Sequence, residues 1–176
     1  MKGIILAELA QYAAATFPTT GEVAATRSYD ARAVYSRGEL VDLAERLSQS
    51  ARVTTADLLR GFGVHLFGRF AALYPAFFVE AEAAIPFLAE INGYVHGEVQ
   101  KIYPDAQLPR FDCSPTADGG LEMTYLSDRA LPDLAEGLIR GCIAHFGDPI
   151  EVRREEGSGP PGRAVRFLLR PDPTDA

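Results

Sequence analysis

Residues 85–111 read IPFLAEINGYVHGEVQKIYPDAQLPRF, and the periodicity changes as the run ends. Ile85, Leu88, Ile91, Val95, Val99 and Ile102 recur at three- and four-residue steps, the stripe of an amphipathic helix. Pro86 suits the first turn of that helix, where a missing N–H costs nothing. Tyr103-Pro104 ends it, because a residue before proline is pushed out of the α region. After Pro109 the signals are those of strands: residues 110–114 and 121–126 flank Ala117-Asp118-Gly119-Gly120, a strong turn sequence. A helix followed directly by a hairpin predicts an α+β chain.

Working outward, residues 3–17 form a first helix whose buried side carries Ile4, Ile5, Leu9, Tyr12, Ala13 and Phe17, and Pro18 stops it. Residues 19–38 are weakly patterned, with a short helical turn near 22–26. Residues 39–50 turn Leu40, Leu43 and Leu47 inward. Thr54 or Thr55 caps the next helix, which carries Leu58, Leu59, Phe62, Leu66 and Phe70 to the core until Tyr74-Pro75. Its glycines, Gly61, Gly63 and Gly68, point to close packing or to a loose helix. Downstream, residues 132–146 are helical, with Leu134, Leu138, Ile139 and Ile143 inward. A second hairpin joins residues 150–154 to 164–170, where Val152, Val165, Phe167 and Leu169 alternate. The expected architecture is a single domain: a helical N-terminal subdomain (1–60) on a C-terminal subdomain (61–176) with a four-stranded antiparallel sheet and flanking helices.

At 176 residues, with 47% hydrophobic and 23% charged residues, the chain can bury a real core. A net charge of −7 argues against a nucleic-acid partner, and no apolar run approaches membrane-spanning length. The apolar start is broken by Glu8 and Gln11, so it reads as a domain helix and not a signal peptide, and the expected location is cytoplasmic. Cys113 and Cys142 show no metal-type spacing.

No catalytic set emerges. His65, His96 and His145 are scattered, no serine or cysteine stands at a recognised spacing from a base, and no glycine-rich phosphate loop precedes a helix. The expectation is therefore not an enzyme. His96 sits beside the apolar stripe, with Gly97 leaving room next to it. A neutral imidazole there suits an axial iron ligand, and equally a hydrogen-bonded core histidine. Tyr125, Ser127 and Arg129 alternate at strand spacing, which places a phenol, a hydroxyl and a guanidinium on one side. Such a group clamps carboxylates, although a solvated strand end reads the same way. Together, an axial imidazole and a carboxylate clamp are what a haem with two propionates requires.

These residues, in this order, resemble the haem nitric oxide/oxygen binding (H-NOX) family, which includes the sensor domain of soluble guanylate cyclase and stand-alone bacterial sensors. The resemblance is carried by MKGII at the start, the His96 helix, YPDAQLPRF with Pro109, YLSDR as Tyr-x-Ser-x-Arg, and the Gly137-Leu138-Ile139 helix. It covers essentially the whole chain and is poorest at residues 19–38, which are short and lack a tryptophan often found there.

The resemblance implies haem b held between the subdomains, with His96 on the iron. It implies that Tyr125, Ser127 and Arg129 hold the propionates, that Pro109 presses on the porphyrin, and that Ile5, Leu9, Leu66, Phe70, Leu134 and Leu138 form the distal wall. Oxygen-binding members carry a distal tyrosine where this chain has Leu134, and polar supporters where it has Leu9 and Leu66. An NO and CO sensor that excludes O2 is therefore expected, unless Tyr12 swings into the pocket. The resemblance further implies a mechanical switch, in which gas binding loosens the His96 bond and the two halves shift. The partner would be a histidine kinase or a cyclic-di-GMP enzyme. The alternative is a haem-free regulatory module of the same fold.

Overall fold

A computed structural model describes residues 2–79, 81–128, 130–157 and 164–172. The chain runs α1 (Gly3–Thr16), α2 (Gly21–Ala25), α3 (Arg37–Ala51), α4 (Thr55–Leu73), α5 (Ala84–Ala89), α6 (His96–Ile102), β1 (Arg110–Pro115), β2 (Leu121–Leu126), α7 (Pro132–Phe146), β3 (Ile150–Glu156) and β4 (Ala164–Pro171). This is the α+β architecture expected, with a four-stranded antiparallel sheet in the order β1-β2-β4-β3.

Local chemistry explains several boundaries. Ser36 and Glu39 form a reciprocal capping box, which starts α3 two residues before the hydrophobic pattern does. Thr54 accepts from the Asp57 N–H at 3.0 Å and caps α4. α7 has Pro132 in its first turn and ends at Gly147, whose φ of +74 suits glycine.

The expected single helix over 85–102 is not continuous. α5 ends at Ala89, Glu90 leaves helical geometry (φ −94, ψ 12), and Ile91–Val95 form a π turn before α6 resumes at His96. A π turn takes up an extra residue, which rotates everything after it by about 100° around the axis. The stripe therefore does not carry through: Leu88 is buried, whereas Ile102 is 44% exposed and α6 buries no residue fully.

Two apolar clusters form the core. One joins Leu6, Leu9 and Ala13 of α1 to Leu40, Leu43 and Leu47 of α3, and to Leu58, Phe62, Leu66 and Leu134. The other joins Phe67, Phe87 and Leu88 to the inner face of the sheet, Leu121, Met123, Tyr125, Val165, Phe167 and Leu169. α4 feeds both, and residues 60 and 61, where the sequence divides the subdomains, lie inside it. α4 meets α7 backbone to backbone. A Cβ on Gly63 would stand 2.7 Å from the Gly137 Cα, and one on Gly141 would stand 2.7 Å from the Phe67 Cβ.

Candidate functional site

His96 opens α6, and its backbone N–H donates to the Ile91 carbonyl across the π turn. The side chain is half-buried, and desolvation pushes its pKa down to about 4. The imidazole is thus neutral near pH 7 and keeps the lone pair a metal needs. Its ring lies 6.2 Å from the Phe111 ring, which lies 5.5 Å edge-on from Tyr125. A Cβ added at Gly97 would meet nothing within 4 Å, so the space beside the histidine is open.

Tyr125 ends an inward-facing row on β2 and is 3% exposed. Its hydroxyl oxygen accepts the Leu131 N–H at 3.1 Å, which leaves the hydroxyl hydrogen to be donated elsewhere. β2 stops at Leu126, so strand alternation does not extend to Ser127, which lies half-buried in the turn beyond. Arg129 lies outside the described residues. The turn leaves Ala130 at φ +46, and Arg37 of α3 donates to the Ala130 carbonyl at 3.4 Å. Pro109 is half-buried immediately before β1.

The six distal candidates fall together. Leu9, Leu66 and Leu134 are buried in the α1–α3–α4 cluster, with Ile5, Phe70 and Leu138 packed against it. Leu138 also packs against the sheet-side cluster, so the two meet at that side chain. Tyr12 packs against the same cluster, with its hydroxyl engaged at the edge of α4. Its hydroxyl bonds to Thr16 and lies against Gly61, its ring is 5.9 Å from Phe62, and burial raises its pKa.

Several polar groups escaped the sequence reading. Glu8, 8% exposed, accepts from Arg69 at 3.1 and 3.2 Å and stands 3.5 Å from His65 Nε2. Its interruption of an apolar helix face was the available signal. Glu136, buried in α7, faces Arg60 at 3.2 Å and Arg140 at 2.9 Å. Asn92 in the π turn holds the Phe111 backbone by both its N–H and its carbonyl.

Among the described residues, no group of three or more His, Cys, Asp or Glu is placed to hold a metal by itself. One neutral imidazole suits an iron whose remaining protein-independent ligands come from a porphyrin, and a hydroxyl with its hydrogen to give suits a propionate. The residues present fit haem.

The Haem-NO-binding family profile matches residues 10–154. The Fe(II) unliganded H-NOX protein from K. algicida is 28% identical, with a TM-score of 0.89 over 100% of this chain and 99% of that one. An H-NOX protein from S. oneidensis in the Fe(II)NO ligation state is 23% identical, with a TM-score of 0.86 over 98% and 99%. The I5F mutant of T. tengcongensis H-NOX is 20% identical, with a TM-score of 0.83 over 98% of both chains, so these last two speak for the fold. No curated protein sequence matches the chain. With most of its length matched by the family profile and its fold shared from end to end, the chain belongs to the Haem-NO-binding family and is a haem-binding gas-sensor domain.

Proposed function

We propose that this domain senses nitric oxide, and carbon monoxide, at a ferrous haem b held by His96, and signals to a separate protein in the cytoplasm without catalysing a reaction itself. The observation that carries the reading is the half-buried, neutral imidazole of His96 beside Phe111, which in turn lies against Tyr125. When bound, haem b would supply a ferrous iron able to take up a diatomic gas. His96 would hold that iron through its imidazole nitrogen. Tyr125 would donate its hydroxyl hydrogen to a propionate, Ser127 and Arg129 would add a hydroxyl and a guanidinium, and Pro109 would bear on the ring edge.

Selectivity follows from the other wall. Ile5, Leu9, Leu66, Phe70, Leu134 and Leu138 present hydrocarbon and no hydrogen-bond donor. Dioxygen needs a donor to be retained, and NO and CO do not, so the wall favours the latter two. Signalling is a two-state shift between the α1–α3 cluster and the sheet-side cluster, read by a histidine kinase or a cyclic-di-GMP enzyme.

The test is absorption spectroscopy of the ferrous haem-loaded protein without ligand, in air and with NO. A spectrum unchanged by air, shifted by NO and lost in His96→Ala supports the proposal. A stable oxygenated spectrum overturns the selectivity, and failure to take up haem overturns the function.

A further inference from the structure

We infer that Asn92 is a positioning residue for His96, fixing through the Phe111 backbone the direction in which the imidazole is presented. The inference rests on the reading of His96 as the axial ligand. Asn92 lies inside the π turn, four residues before His96. Its Oδ1 accepts the Phe111 N–H at 3.1 Å and its Nδ2 donates to the Phe111 carbonyl, so one carboxamide closes a ring on one residue's main chain. β1 is an edge strand, whose outward N–H and C=O have no further strand to pair with. Asn92 takes that place. A carboxamide carries one acceptor and one donor in a single plane, which is what a peptide edge demands.

The link matters because Ile91 and Val95 pack against the sheet-side cluster only partly buried, and α6 beyond them packs more thinly still. α6 is seven residues long and buries none of them fully, so side-chain packing alone does not fix its rotation. The π turn upstream is held by the His96 N–H bond to Ile91 and the Tyr94 N–H bond to Glu90, the latter at 2.9 Å. Single π turns inside helices are rare and are frequent at functional sites. Phe111 closes the circuit. Its main chain is gripped by Asn92, and its ring lies against the imidazole and against Tyr125. Losing the grip frees the π turn to relax, and a one-residue change in winding swings α6 by about 100°.

Three variants separate positioning from bulk stability. Asn92→Leu removes both bonds at similar volume, Asn92→Asp keeps the acceptor and loses the donor, and Asn92→Gln keeps both groups on a longer arm. In the haem-free protein, Phe111 amide exchange is expected to quicken about tenfold in Asn92→Leu and less in Asn92→Asp and Asn92→Gln. The His96 ring-proton resonances, which feel the Phe111 ring, are expected to move in the same order. In the ferrous haem-loaded protein, the iron–histidine stretching band should shift or broaden in Asn92→Leu and partly return in Asn92→Gln. Fast Phe111 exchange with unmoved His96 resonances and an unmoved band overturns the inference, as does unchanged exchange. Failure of the parent protein to take up haem overturns the proposed function, while the haem-free arms still decide whether Asn92 positions His96.

Discussion

Glu8 on α1 and Arg69 on α4 form a partly buried ion pair in which one guanidinium reaches both carboxylate oxygens, at 3.1 and 3.2 Å. The pair ties the N-terminal helix to the helix that serves both cores. Because the carboxylate is the better buried partner, removing the arginine does more harm than removing both groups. Arg69→Ala is expected to lower unfolding stability by about 1–3 kcal/mol, and Arg69→Leu with Glu8→Leu to recover most of it. Urea denaturation of the four corners of the cycle measures this. A coupling indistinguishable from zero would show that the pair is screened by solvent.

Tyr125 holds the N-terminal end of α7 and lies edge-on to Phe111, the neighbour of His96. Tyr125→Phe leaves the buried Leu131 N–H without its acceptor, at a cost of about 1–3 kcal/mol in the haem-free protein. The same variant is expected to lose haem faster, because a propionate donor goes with the hydroxyl. Thermal melts without haem and haem transfer to an acceptor globin read the two effects separately.

The glycines of α4 are not equivalent. Gly63→Ala places a Cβ 2.6 Å from the Leu134 carbonyl oxygen, where only main chain stands and nothing yields cheaply, and should destabilise by about 1–3 kcal/mol. Gly68→Ala meets nothing within 4 Å on the same helix and should stabilise by about 0.5–1 kcal/mol. Opposite signs in chemical denaturation are the expected result.

Asp57 gives a pH dependence of known sign. Hydrogen bonds from Thr54 and Arg60 hold its carboxyl below the usual aspartate value. A depressed folded-state pKa means the unfolded chain binds the proton first. The contribution is therefore present above the ordinary aspartate pKa near 3.8 and is lost as pH falls through the lower folded value. Denaturation midpoints of Asp57→Asn against the parent should differ at pH 6 and converge at the acid end.

Much of this was legible in residues with one strong local preference. Pro132 and Gly147 bracket α7, Pro18 and Tyr74-Pro75 stop α1 and α4, and Gly119 at φ +78 makes the first hairpin turn. His96 and Tyr125 stand out in the sequence because their types are informative at their spacing, an imidazole beside an apolar stripe and a phenol opening Tyr-x-Ser-x-Arg. The π turn was not, since periodicity sees only that Ile91 and Val95 are apolar and not how many residues a turn takes up. Strand alternation does not reach Ser127, because β2 ends at Leu126 and the period-two pattern carries no mark of where a strand stops. The Glu8–Arg69 pair, 61 positions apart, and the Asn92 grip on Phe111, 19 apart, depend on tertiary approach that no window of sequence contains.

Leu66 and Phe67 are neighbours in the chain, yet one belongs to the α1–α3 cluster and the other to the sheet-side cluster. Neither cluster can melt while leaving α4 intact for the other. The two halves are thus expected to unfold as a single cooperative unit in one transition, so any shift between them on ligand binding has to be accommodated within an intact α4.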